Sequence, residues 1–265
     1  MGLRKALILA LLLSFALITS SVASETTANI PSSVAIDYSS TPSSGTNLVI
    51  LSDDFETTQL ADGKLTGWPE HTIEGADYLS FSTEQAHSGA RSVKVTAGGA
   101  FPNLRVYIWS TEKEFWMQQW VYFADDFHLV ADNKWFSLGT PIYEWKSTGT
   151  AMYFTLQFLG DDMHLYVTSA TKTEYIHEEG SPFYLDSGVN LHRGEWVKVV
   201  SHVIRDRENG LLDVYVNDNL VIHYVGVTLW QQENFMIQPI KHYCKDEPLD
   251  AVKTVYFDDI EVWTD

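Results

Sequence analysis

The sequence predicts an all-β sandwich, on three observations. Runs rich in Val, Ile, Tyr, Phe and Trp are separated by turn residues about every 8–12 positions, the spacing of sandwich strands. Apolar and polar residues alternate with period two inside many of these runs, as a strand with one dry face requires. Helical periodicity is nearly absent, and no internal repeat is visible.

The first residues stand apart from this pattern. Arg4 and Lys5 precede a largely apolar run, Ala6 to Ile18, followed by the small residues Ser21, Ala23 and Ser24. That is the layout of a secretory signal peptide, expected over residues 1–24 with cleavage near Ala23 or Ser24. The run is shorter than the roughly 20 apolar residues a membrane span needs. Residues 25–46 are rich in Ser, Thr and Pro and read as a linker. One domain, residues 47–265, is large enough for a substantial core.

Within that domain the expected strands fall at 48–56, 92–97, 104–109, 115–123, 151–159, 163–169, 196–205, 211–217, 220–226 and 254–263. Gly160, Asp161 and Asp162 mark one hairpin turn and Arg207 to Gly210 another. Alternation assigns the faces. Phe154, Leu156 and Phe158 oppose Tyr153, Thr155 and Gln157. Met163, Leu165 and Val167 oppose His164, Tyr166 and Thr168. Val197, Val199 and Val203 form a dry face, as do Leu212, Val214 and Val216. Several strands thus pair a dry face with one of aromatic, amide and imidazole groups. Tyr153, Gln157, His164 and Tyr166 are candidate binding residues on that face. Pyranose rings stack their C–H faces on aromatics, and their hydroxyls need planar donors and acceptors. The same composition also suits the wet outer face of an ordinary sandwich.

The formal net charge is −18, and removal of Arg4 and Lys5 would make it more negative. A field of that sign opposes nucleic acid and anionic lipid as partners. Cys244 is the only cysteine, so no intrachain disulfide can form. No zinc-ligand spacing, nucleophile elbow or phosphate loop occurs.

Three segments taken together carry a family resemblance: DDFE (53–56) with AHSGARSVKV (86–95), LHRGEWVKVVSHVIRDRENGLLDVYVNDNLVIHYVG (191–226), and VYFDDIEVW (255–263). They resemble the jelly rolls of the legume-lectin and laminin-G (concanavalin-like) superfamily. With WVYFADDFHLVADNKWFSL and PIYEWKSTGTAMYFTLQFLGDDMHLYV between them, the layout is similar to the heparin lyase I and glucuronan lyase type of polysaccharide lyase. The resemblance spans about residues 48–263. It implies a jelly roll of two antiparallel sheets that meets an extracellular polysaccharide.

The resemblance also implies site residues. Such lyases neutralise a uronate carboxylate, remove the C5 proton with a base and protonate the leaving oxygen. A Gln-Trp-His run of that family stands here as Glu144-Trp145-Lys146, in which Trp145 matches. An Arg-x-Glu stands as Arg105-Val106-Tyr107, in which Arg105 matches. A Lys-x-Gly-x-Tyr stands as Lys241-His242-Tyr243. Lys146 and Tyr243 are then the expected base and acid, and Arg105 the carboxylate anchor. Glu144, Trp145, Lys241 and His242 would line the binding site. Asp53, Glu56, Asp258 and Asp259, on what are neighbouring strands in that fold, are candidate ligands for a structural calcium. A laminarinase-type glycosidase would need acids at alternate strand positions, for which Glu174 and Glu178 are the nearest candidates. The sequence leaves three functions open: carbohydrate binding, uronate-polysaccharide cleavage by β-elimination, and adhesion to a protein partner.

Overall fold

A computed structural model describes residues 48–98, 103–129, 135–145, 151–170, 183–229, 234–244 and 252–264. The expected signal peptide and linker, Lys146, Glu174 and Glu178 lie outside the described residues. Among the described residues seventeen strands run in chain order. The first are β1 Leu48–Asp53, β2 Leu60–Ala61, β3 Lys64–Leu65, β4 His71–Glu74, β5 Leu79–Ser82 and β6 Ser92–Gly98. Then come β7 Asn103–Ser110, β8 Glu114–Phe123, β9 Trp135–Trp145, β10 Ala151–Leu159, β11 His164–Ala170 and β12 Phe183–Asn190. The last are β13 Trp196–Ile204, β14 Gly210–Val216, β15 Asn219–Gly226, β16 Phe235–Cys244 and β17 Val252–Thr264. Among the described residues the one helical element is a 3₁₀ turn, Ala76–Tyr78. None of their helices is long and apolar enough to cross a membrane.

Two antiparallel sheets form the sandwich. One has the order β15-β14-β13-β8-β17-β6-β5, with β1 also on β17; the other is β12-β11-β10-β9-β16-β7-β4. Every strand pair in them is antiparallel, and sequential neighbours alternate with long crossovers, as in a jelly roll. The expected hairpins are present. Leu159 pairs with His164 across the Gly160 turn, and Ile204 with Leu211 across the Arg207 turn. Asn217 and Asp218, at φ of 46° and 65°, make the tight turn between β14 and β15. Two positive φ values match the twist of flanking strands.

Alternation decides what is buried. In β8, half-buried and buried residues alternate without a break. Phe115, Met117, Val121 and Phe123 point inward to meet Phe154, Leu156 and Phe158 of β10 and Leu165 and Val167 of β11. At one end of the core four rings interlock. Phe123–Phe127, Phe127–Phe136, Phe136–Phe158 and Phe123–Phe158 have centroids 5.2, 5.1, 5.0 and 5.3 Å apart. Each such pair adds about 0.5–1.5 kcal/mol beyond its buried area.

Two central strands of the second sheet each contain a proline, Pro141 in β9 and Pro239 in β16. Proline cannot donate to a ladder, so in an interior strand it is confined to a bulge. The pairing registers shift at both places, between Met236 and Gln238, between Ile237 and Ile240, and between Phe154 and Leu156 opposite the Gly139–Ile142 stretch. A bulge re-aims the side chains beside it. These bulges lie in the floor of the groove described next.

Candidate functional site

The face of the second sheet that points away from the core carries a groove of about 280 Å³. Arg105 comes from β7, Ser137 and Tyr143 from β9, Tyr153, Thr155 and Gln157 from β10, and Gln238, Lys241 and Tyr243 from β16. Strand pairing places Arg105 beside Lys241, Tyr243 beside Ser137, Ser137 beside Gln157, and Tyr143 beside Tyr153. Four strands therefore converge on one polar pocket.

Lys241 is buried, and its Nζ donates to Thr140 Oγ1 at 3.0 Å. Burial pushes the amine well below the ordinary lysine range, and the neighbouring Arg105 charge pushes the same way. Lys241 thus favours its neutral form at a pH where an exposed lysine is charged. Arg105 is held by Tyr107 Oη at 3.2 Å and by Glu74 at 3.7 Å, and its guanidinium lies 5.4 Å from the Tyr243 ring centre. Burial raises the phenols of Tyr107 and Tyr143, so both stay protonated. Gln157 Nε2 donates to Ser137 Oγ at 3.2 Å. Gln238 is 1% exposed, lines the groove, and has no hydrogen-bond partner for either side-chain atom among the described residues. A buried amide left unsatisfied costs about 1–3 kcal/mol, which a ligand in the groove would relieve. Gly139 of β9 faces the core instead: a Cβ there would lie 2.9 Å from Gln119 Nε2 of the facing sheet.

The structure divides the residues expected from sequence. Arg105, Tyr153, Gln157, Lys241 and Tyr243 meet in the groove. His164 and Tyr166 lie on the same sheet face toward its edge, Tyr166 directly beside Gln157. Glu144 does not line the groove: it is fully buried between the sheets, 2.9 Å from Arg205. His242 also faces inward, its ring edge-on to Phe136 at 4.8 Å, and burial drops its pKa to about 3. Period two dictates both placements, because a residue between two groove-facing neighbours must point the other way. Lys146 and the side chain of Trp145 lie outside the described residues. Sequence reasoning missed Ser137, Thr140, Tyr143 and Gln238, whose strands are interrupted by Pro141 and Pro239.

The four acids expected to bind calcium are engaged with protein donors. Asp53 accepts from Thr58 Oγ1 at 2.8 Å and from Trp68 Nε1 at 2.5 Å. The other three grip the 87–91 loop. Glu56 accepts from the Ala90 and Arg91 N–H groups at 2.8 and 2.9 Å. Asp258 accepts from the His87 and Ser88 N–H groups at 2.7 and 3.2 Å, and Asp259 from Ser88 Oγ at 2.7 Å. Among the described residues no three metal-ligating side chains form a set that could hold an ion. As placed, their side chains do not fit a calcium cage.

Asp258 has a measurable consequence. It is fully buried, and burial raises its pKa from 3.8 to about 6, against the pull of its backbone donors. A carboxyl whose folded pKa is raised adds stability that is complete below the unfolded value and is lost as pH rises through the folded value. Asp258→Asn should therefore gain stability relative to the unsubstituted protein as pH rises from about 4 to about 7. Thermal melts of the two across that window check this; a pH-independent difference contradicts it.

Compared with known proteins, the sequence matches no family model and no curated protein. The fold does match solved structures. An endo-β-1,4-glucuronan lyase from the fungus Trichoderma reesei superimposes with a TM-score of 0.61 at 12% identity, over 81% of this chain and 95% of that one. The marine PL-14 alginate lyase from Aplysia kurodai gives 0.59 at 13% identity, over 82% and 99%. A variant of alginate lyase Aly36B in complex with alginate trisaccharide gives 0.52 at 12% identity, over 74% and 88%. The chain has the jelly-roll sandwich fold found in these polysaccharide lyases.

Proposed function

We propose that this is a secreted polysaccharide lyase that cleaves a uronate-containing glycan by β-elimination in the groove of the second sheet. The observation that carries the reading is Lys241, a buried amine driven toward its neutral form, beside a guanidinium, a phenol and an unsatisfied amide. The N-terminal signal pattern and the fold shared with glucuronan and alginate lyases support it.

The chemistry needs three things. The uronate carboxylate must be neutralised so that the C5 proton becomes acidic, and Arg105 offers a fork of donors for it, with the Gln238 and Gln157 amides alongside. A base must take the C5 proton; neutral Lys241 serves, becoming ammonium. An acid must protonate the leaving O4, and the Tyr243 hydroxyl serves. The C5–H and C4–O4 bonds break, a C4=C5 double bond forms, and no water is consumed. Tyr143 and Tyr153, stacked with centroids 6.2 Å apart, supply aromatic surface beside the reacting sugar.

A second reading is binding without cleavage. It is favoured by the depth of Lys241, 8% exposed and already bonded to Thr140, which holds the amine back from a bound sugar. One experiment separates the two. The protein is incubated with a panel of uronate and neutral polysaccharides, and the ultraviolet absorbance of an unsaturated uronate is followed. A rise with a uronate polymer supports the lyase. A flat trace with retardation on a glycan-containing gel leaves the binding module. A flat trace without retardation overturns both.

A further inference from the structure

The groove continues across the sheet with a change of charge along it. Tyr243, Ser137, Gln157, Tyr166 and Asp186 are directly paired neighbours on β16, β9, β10, β11 and β12. Directly paired residues point to the same side of a sheet, so these five form one polar row across the strands. Four strand spacings make the row about 19 Å long, room for an oligosaccharide lying across the strands.

The two ends differ electrically. The near end holds Arg105 and Lys241. At the far end His164 is clamped between Asp186 Oδ1 at 2.6 Å from Nε2 and Asn190 Oδ1 at 2.5 Å from Nδ1. The Asp186 side chain remains 63% exposed, and its carboxyl is held below the usual range by His164 and by the Gly188 N–H. Asp162 also acts on both His164 and Tyr166. These partners raise the His164 pKa and favour its charged form, which offsets one of the two carboxylates, and the far end keeps a net negative charge in a chain of net charge −18. A carboxylate on every sugar of a bound chain would meet repulsion at this end, whereas an uncharged sugar would find the Tyr166 ring and the Asp186 and Asn190 acceptors for its hydroxyls.

Resting on the lyase-groove reading, we propose that the substrate class is a mixed glycan: a uronate at the Arg105–Lys241 end, flanked by neutral sugars at the Tyr166–Asp186 end. A homopolyuronate, of the kind named for the structural neighbours, would be the poorer ligand.

Gellan, whose 4-linked glucuronate units are flanked by neutral sugars, and polyglucuronate are compared at low salt, by affinity-gel retardation and by unsaturated product. Gellan should be favoured by about fivefold or more, the size of one like-charge contact at ~4 Å in water. Asp186→Asn, whose amide oxygen can still accept from His164, should raise binding or turnover of polyglucuronate by a similar factor and so shrink or abolish the preference for gellan. Equal or better use of polyglucuronate, or an Asp186→Asn variant with no change in preference, overturns the inference. If neither polymer yields unsaturated product, the lyase reading alone falls, and the retardation preference still decides the inference. Retardation by neither overturns both.

Discussion

Tyr243→Phe and Lys241→Ala should each lower kcat by about 10²–10⁴-fold, the usual worth of a positioned acid or base. KM should change little, since neither group is asked to hold the ground-state sugar. Lys241→Arg should not restore activity, because a guanidinium stays protonated throughout the working range. The pH profile gives a second readout. Lys241 must be neutral to accept a proton, so kcat/KM should rise with pH through a pKa below the ordinary lysine value, and that limb should vanish in Lys241→Ala. Arg105→Ala should raise KM as well as lower kcat, because the carboxylate anchor acts in both states. Near-native melting of these variants excludes unfolding as the cause. Full activity in Lys241→Ala would remove the amine from the mechanism.

The largest stability effect should come from Glu144, which the family resemblance had placed in the binding site, together with its partner Arg205. Glu144 is fully buried, and Arg205, at the end of β13, reaches it across the core at 2.9 Å with its guanidinium 3.8 Å above the Phe235 ring. The pair ties the two sheets together. Arg205→Met strips a buried carboxylate of its cation, a change that costs about 3–5 kcal/mol. For a domain of this size that lowers Tm by roughly 6–20 °C. The double variant Glu144→Leu with Arg205→Met should recover most of the loss, since apolar side chains of similar volume replace a buried pair at little cost. Calorimetry of the single and double variants checks both. A loss below about 1 kcal/mol would place the pair among surface-like contacts.

Much of the sandwich was legible in residue alternation. The inward faces read for 151–159, 163–169, 196–205 and 211–217 are the buried ones, and the glycine-containing turns lie where expected. β16 was not legible, for a definite reason. Pro239 breaks its alternation, and Lys241-His242-Tyr243 carries no apolar period of its own to mark a strand. The bulge resets the phase, so that Lys241 and Tyr243 face the groove and His242 between them turns into the core. Glu144 follows the same rule: beside groove-facing Tyr143 it must point inward, and only there can it meet Arg205. The acids of β17 needed information that alternation lacks. Asp259 adopts φ of 42° at a register shift between Asp258 and Glu261, which turns consecutive carboxylates onto one loop. The groove's chemistry, finally, depends on how deeply Lys241 and Gln238 are buried, and burial of a polar residue follows from packing across strands distant in sequence.

The most direct test of the central claim is the fate of water during cleavage. A uronate glycan is digested in water enriched in heavy oxygen, and the fragments are examined by mass spectrometry together with their ultraviolet absorbance. Elimination predicts unsaturated fragments whose new ends carry no heavy oxygen from the cleavage step. Saturated fragments that incorporate one heavy oxygen at each cut would show hydrolysis and contradict the assignment of Arg105, Lys241 and Tyr243 to a lyase.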